Sequence, residues 1–299
     1  MSAIAEALMP RSLRRYAHEY YELCKPRVVM LIVFTAIVGM FLAVPGVPPP
    51  DKLLLGTLGI ALQAASAAAV NQLIDRNIDA RMARTCGRPL VTGSLSVRES
   101  VIFAVLLGSA GFAVLWRWVN PLTAWLTLAT LVGYAGIYTL YLKRATPQNI
   151  VIGGAAGAAP PVLGWAAVSG TLHPHALLLF LIVFTWTPPH FWALAIERRD
   201  EYAKVGIPML PVTHGIEYTR LQVLLYTVLL TAVSALPFVF GMSGLPYLCG
   251  ALVLDAVFLA YAVRLKWAPK PGLPMRTFGY SIVYLMGIFS LLLVDHYLR

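Results

Sequence analysis

The sequence predicts an all-α fold: a polytopic membrane protein with about nine transmembrane helices arranged around a central cavity. Three observations predict it. Hydrophobic residues fill 59% of the 299 positions and charged residues only 12%, with a mean hydropathy of +0.74. A soluble domain of this length could not cover its surface from so small a polar supply. Apolar runs long enough to span a bilayer recur along the chain without period-two alternation, which leaves helices as the spanning structure. The basic residues are also sorted, 20 of the 23 falling on one side of those runs.

Residues 1–27 read as a cytoplasmic N-terminal tail and 28–299 as a single transmembrane domain. The tail mixes Arg11, Arg14 and Arg15 with Glu6, Glu19 and Glu22 and lacks the apolar core and cleavage site of a secretory signal. Spans are expected near 28–44, 53–73, 101–119, 122–141, 149–169, 175–195, 221–241, 245–264 and 278–297. "VPGVPPP" (44–50) is a turn between the first two, and "TPPHFW" (187–192) puts a prolyl kink into the sixth. Small residues in "SAAAV" (66–70) and the spacing of Gly153 and Gly157 mark close helix approaches. Lys and Arg crowd the tail and the connections after spans two, four, six and eight, leaving Lys52, Arg117 and Arg299 for the other face. That excess puts the N-terminus in the cytoplasm, and the +10 charge at a membrane surface rather than on a nucleic-acid-binding face. Arg117, between Trp116 and Trp118, fits an outer aromatic belt. Cys24, Cys86 and Cys249 are too scattered for a disulfide framework or a zinc site and read as packing residues.

This orientation delivers the ends of spans two and six to the same face, each with an acidic cluster. Four-residue steps on a helix drift by only about 40°, so Asn71, Asp75 and Asp79 in "NQLIDRNIDARMART" form one stripe. A carboxylate costs roughly 2.5–3.5 kcal/mol at the centre of a membrane helix and less near its end, so a pair kept there asks for compensating charge. Arg76, Arg81 and Arg84 could supply it as an interfacial ion-pair cluster. The functional alternative is that the oxygens bind Mg²⁺, which in turn holds a diphosphate. On that reading Asn71, Asp75, Asp79 and Asp200 are the metal ligands. Asp200 and Glu201, with Glu197, form the opposing catalytic wall at the end of span six. Arg27, Arg76, Arg88, Lys143 and Lys204 are the candidate diphosphate cations, with Arg144 beside them. Such a site ionises an allylic prenyl diphosphate, its carbon tail lying between the helices and aromatic faces sheltering the cation. Tyr138 and Tyr141 suit that sheltering role, and interfacial anchoring equally. A short echo, Pro89, Val91, Thr92 and Gly93 against Pro211, Val212, Thr213 and Gly215, is the pattern of two related bundles facing one site. A transporter also carries intramembrane carboxylates, but across the whole depth, whereas both clusters here lie on one face.

The stripe resembles the first motif of the intramembrane UbiA-type prenyltransferases, with Gln72 where that motif has a further Asp. Longer blocks narrow the resemblance: "KPRVVMLIVFTAIVGMFLA" (25–43), the stripe with "RPL", "YTLYLKRATPQNIVIGGAAGAAPPVLGWAA" (138–167), "TWTPPHFWALAI" (185–196) and "GIPMLPVTHG" (206–215). Together they are similar to the heme-farnesylating branch of that superfamily over about residues 25–297. The resemblance implies a Mg²⁺-dependent transfer from farnesyl diphosphate to a vinyl carbon of heme b, completed by water to give heme O, for a terminal oxidase or for conversion to heme A. It implies a lipid-embedded enzyme of a bacterial inner membrane, or else of a mitochondrial one, with a heme A synthase or terminal oxidase assembly factor as partner. A sister enzyme acting on a quinone or chlorophyll precursor is the nearest alternative. Within that mechanism Asp200, Glu201 and Lys204 close the side opposite the stripe, and Arg27, Arg88 and Lys143 meet phosphate oxygens or heme propionates. Heme contacts then fall to His190, as an iron ligand or a helix-to-helix hydrogen bond, to His214 as its substitute, and to Tyr138 and Tyr141. His173 and His175 lie on the outer side, and Asp255, deep in the eighth span, has no visible partner.

Overall fold

A computed structural model describes residues 13–299; Glu6 and Arg11 of the predicted tail lie outside the described residues. The chain begins with α1 (Leu13–Leu23) and bends by 55° into α2 (Pro26–Leu42). There follow α3 (Pro50–Asp79), α4 (Val97–Val119), α5 (Pro121–Ala145), α6 (Asn149–Ser169), α7 (Pro174–Glu197), α8 (Gly215–Val239), α9 (Leu245–Trp267) and α10 (Leu273–Leu298). Eight of these helices are long and apolar enough to cross a membrane, and the bent α1–α2 pair raises the number to nine. The all-helical fold and the order of spans agree with the sequence reading. Within the expected tail, residues 13–23 form a helix whose Tyr16 and Tyr20 pack with Phe103 and whose Leu23 packs with Ala69 and Leu95.

Helix starts follow from the sequence. Proline occupies the first or second position of α2, α3, α5, α7, α9 and α10. Its missing N–H is one that a first turn would leave unpaired in any case. At α4, which carries no such proline, Ser96 and Glu99 close a capping box, the Ser96 hydroxyl accepting from Glu99 N at 3.2 Å and Glu99 Oε2 from Ser96 N at 2.8 Å. Pro188 and Pro189 sit inside α7, which stays helical through them to Glu197.

Helices meet where side chains vanish. A Cβ on Gly39 would collide with the carbonyl of Pro161, and one on Gly164 with that of Ala36, so α2 and α6 touch backbone to backbone. Gly59 and Gly111 play the same part between α3 and α4, where Ser66 Oγ also donates to Ala104 O at 2.7 Å. Of the predicted pair, Gly153 lies under the ring of Tyr138 and Gly157 faces open space. Cys24 is half-buried while Cys86 and Cys249 are exposed, so packing accounts for the first alone.

Asp255 does have partners: Ser234 Oγ and Tyr284 Oη each donate to it at 2.7 Å, tying α8, α9 and α10 together. Asp295 of α10 accepts from Gly244 N at 2.6 Å and Tyr247 N at 3.2 Å, capping α9 from a neighbouring helix. Below these, Ile78 and Met82 pack with Trp192, Ile196 and Tyr202, so the ends of α3 and α7 share one face.

The backbone contact sets a test. Gly164→Ala should destabilise the protein by about 1–3 kcal/mol through overpacking, read as a fall in thermal midpoint in detergent, whereas Gly157→Ala should leave the midpoint in place.

Candidate functional site

A 30-residue helix is about 45 Å long, against roughly 30 Å of hydrocarbon. The last turns of α3 therefore reach the basic face, and they carry the stripe. Asn71, Asp75 and Asp79 are all buried there. Each is held by a cation from a different segment. Lys25, at the α1–α2 elbow, donates to Asn71 Oδ1. Lys143, at the end of α5, donates to Asp75 Oδ2 at 2.6 Å. Arg88, in the connection after α3, pairs with Asp79 Oδ2. None of Arg76, Arg81 and Arg84 forms an ion pair with the stripe among the described residues. Arg76 is exposed and returns to its own helix at Leu73 O, 3.3 Å away. A one-residue step turns the helix by about 100°, which takes Arg76 off the stripe.

Two further contacts complete the set. Asn71 Nδ2 donates to Asp75 Oδ2 at 3.0 Å and to Thr139 Oγ1 at 3.1 Å. Gln72 does not join the stripe. Its Nε2 donates to the carbonyls of Glu22 and Leu23 at 3.1 and 3.0 Å and so holds the C-terminal end of α1. A carboxylate cannot donate, and this is the physical reason for an amide at that position. Lys25 is the only described non-glycine residue with positive φ, at 49°. Backbone strain of that kind persists only where surrounding contacts fix it.

Among the described residues, no ion pair joins the second acidic cluster to the first. α7 ends at Glu197, and a separate turn, Arg199–Lys204, follows the break at Arg198. The Asp200 side chain is 86% exposed, with Arg199 at 3.7 Å. Glu201 Oε1 accepts from Arg198 at 2.6 Å, its Oε2 is buried without a partner, and Lys204 is exposed. Glu197 lines a cavity of about 350 Å³ with Arg220, Lys270 and Gly272. Arg27 is exposed at the elbow. Burial raises the Tyr202 phenol above its usual range, and it stays neutral beside this cluster.

The histidines part ways. His190 is buried, stacked between Trp186 and Phe278, with Nδ1 2.6 Å from Ser281 Oγ. That is the helix-to-helix hydrogen bond. His214 is exposed, near Thr213 Oγ1 at 2.8 Å and Tyr218. Tyr138 stacks on Tyr134 with ring centroids 5.5 Å apart, and Tyr141 is exposed. Lys25 and Thr139 escaped the sequence reading. For Lys25 the available signal was a basic residue directly before the prolyl start of α2; for Thr139 there was none.

No three His, Cys, Asp or Glu side chains stand together as a metal site among the described residues. The stripe offers two carboxylates and an amide instead, and Asp75 Oδ1 is buried there with no partner. An orphaned carboxylate oxygen is the hard donor chemistry that Mg²⁺ takes.

Residues 32–291 match the UbiA prenyltransferase family. The chain belongs to the UbiA prenyltransferase family. A protein of Methylococcus capsulatus named protoheme IX farnesyltransferase is 62% identical over 93% of this chain and 94% of its own length. One of the same name from Nitrosospira multiformis is 61% identical, covering 94% of each chain. Among solved folds, a digeranylgeranylglyceryl phosphate synthase superposes with a TM-score of 0.79 at 18% identity, covering 95% of this chain and 100% of that one. A UbiA homolog from Archaeoglobus fulgidus bound to GPP and Mg²⁺ gives 0.62 at 20% identity, over 92% and 99%. The matched UbiA region contains the stripe, Arg88 and Lys143, while Lys25 lies just before it.

The Gln72 contact generates a test on this family member. Gln72→Glu should release the end of α1 and speed tryptic cleavage around Arg15 and Lys25, whereas Gln72→Asn, which still donates, should slow that loss.

Proposed function

We propose that this protein moves the farnesyl group of farnesyl diphosphate onto a vinyl carbon of heme b, giving heme O and diphosphate. The acceptor and donor come from the name shared by relatives about 60% identical over 93% of the chain. The observation that carries the chemistry is the stripe: buried oxygen donors faced by cations from three separate segments.

Asn71, Asp75 and Asp79 would hold Mg²⁺, which supplies a Lewis acid for the departing diphosphate. Lys143 and Arg88 balance the two carboxylates, and both would meet an anion bound beside the stripe. With Lys25 they stabilise charge that builds on the diphosphate as the C1–O bond breaks, its electron pair staying on oxygen. The vinyl π electrons of heme then bond to farnesyl C1. Water adds to the cation left on the side chain and releases a proton to solvent. No protein nucleophile is needed. Asp200, Glu201 and Lys204 line the same membrane face and serve as outer contacts for diphosphate or propionate. Of the two candidate histidines, His214 has the open ring. By the distribution of Lys and Arg, the N-terminus lies in the cytoplasm of a bacterial cell.

The direct test is incubation of membranes carrying the protein with heme b, farnesyl diphosphate and Mg²⁺, then mass spectrometry of extracted hemes, with a chelator control. A metal-dependent heme with a hydroxyethylfarnesyl group is the expected product. Donor consumed on another acceptor would redirect the reading to a quinone-type enzyme. Asp75→Ala and Asp79→Ala should each lower turnover at least about 100-fold while leaving the protein inserted. Near-normal activity in either, at saturating Mg²⁺, would defeat the site assignment. Lys143→Gln should raise the KM for farnesyl diphosphate about tenfold or more, with a smaller effect on the KM for heme.

A further inference from the structure

α5 is not α-helical throughout. From Gly133 to Leu142 it widens into a ten-residue π-helix, a coil in which carbonyls bond five residues on. Thr139 sits inside that segment, fully buried. Threonines elsewhere in the spans, such as Thr127, Thr187 and Thr227, donate to the carbonyl four residues back at 2.7, 2.8 and 2.7 Å. Thr139 donates five residues back, to Tyr134 O at 2.8 Å. Its one hydroxyl proton is therefore committed, and its oxygen can only accept.

What it accepts from is Asn71 Nδ2, at 3.1 Å. An amide side chain has a nitrogen face and an oxygen face, and rotation by half a turn exchanges them. Three neighbours set the choice at Asn71. Asp75 Oδ2 and Thr139 Oγ1 both demand a donor, and Lys25 demands an acceptor. Asp75 and Lys25 are groups that a bound metal and diphosphate would engage. Thr139 is not, since its hydroxyl is tied to the backbone of its own helix. We propose that Thr139 is a positioning residue that fixes the orientation of the Asn71 amide, so that Oδ1 rather than Nδ2 faces the metal–diphosphate ligand. The proposal rests on the stripe being the metal site, as argued above. The widened coil has a role in it, because it supplies the Tyr134 carbonyl that makes the hydroxyl a pure acceptor.

Thr139→Val keeps the shape and deletes the acceptor, and Thr139→Ser keeps both groups. The readout is binding of Mn²⁺, standing in for Mg²⁺, in the presence of farnesyl diphosphate, followed by electron paramagnetic resonance and set beside heme farnesylation. Thr139→Val should raise the half-saturating Mn²⁺ about tenfold, the loss of one buried hydrogen bond to a ligating group, and most turnover should return at saturating metal. Thr139→Ser should bind like the parent. An unchanged midpoint in Thr139→Val, or equal losses in Val and Ser, overturns the proposal. If the valine variant does not insert, Thr139→Cys, with a far weaker acceptor, takes its place under the same criteria. Asp75→Asn separates the two levels: parent-like Mn²⁺ binding in that variant would remove the stripe as the metal site, whatever Thr139 does.

Discussion

Two carboxylates buried at the end of a membrane helix set the terms for everything around them. Removing one partner from a buried ion pair costs about 3–5 kcal/mol, because the remaining charge is left without water. The fold answers with Lys143 for Asp75 and Arg88 for Asp79. Each cation arrives on its own segment, so three otherwise independent stretches are tied to the last turns of α3. α5 must end where Lys143 reaches Asp75, the connection after α3 must fold back to present Arg88, and the α1–α2 elbow must adopt a left-handed residue to place Lys25. The close passages at Gly39, Gly164, Gly59 and Gly111 let the helices draw near enough for those reaches. Packing and electrostatics are one arrangement here.

The same constraint explains why the two acidic clusters differ. Asp75 and Asp79 are buried and paired, and one oxygen of Asp75 has no partner. Asp200 is open to water and needs no such compensation, and Glu201 is served by Arg198 three residues before it. The helical break at Arg198 frees the second cluster from the rigid end of α7. The first cluster is therefore built into the helix packing, and the second is carried on a turn at the surface.

Much of this was legible in the sequence where the signal was local. The stripe follows from a four-residue period, the spans from length and hydropathy, and the helix starts from proline. Arg88 and Lys143 could be named as cations of the site because they sit on the right face. What escaped depends on neighbours far along the chain. Gln72 looks like a defect in an acidic motif until α1 is seen resting on it. Thr139 gives no hint of its role without the widened coil beneath it, and Lys25 without the bend that follows α1. Asp255 looked solitary because Ser234 and Tyr284 lie 21 and 29 residues away on other helices. His190 could be read two ways because a sequence does not reveal the two rings stacked on it or the Ser281 hydroxyl beside it.

Asn71 and Gln72 are consecutive residues, and one holds Lys25 while the other holds the last carbonyls of α1. The N-terminal arm is thus a strap buckled onto the very turn where the acids begin. Whatever shifts the end of α1 therefore shifts the partners of two adjacent side chains on that turn. The elbow and the acidic turn thus share one set of contacts, and neither can be rebuilt without the other.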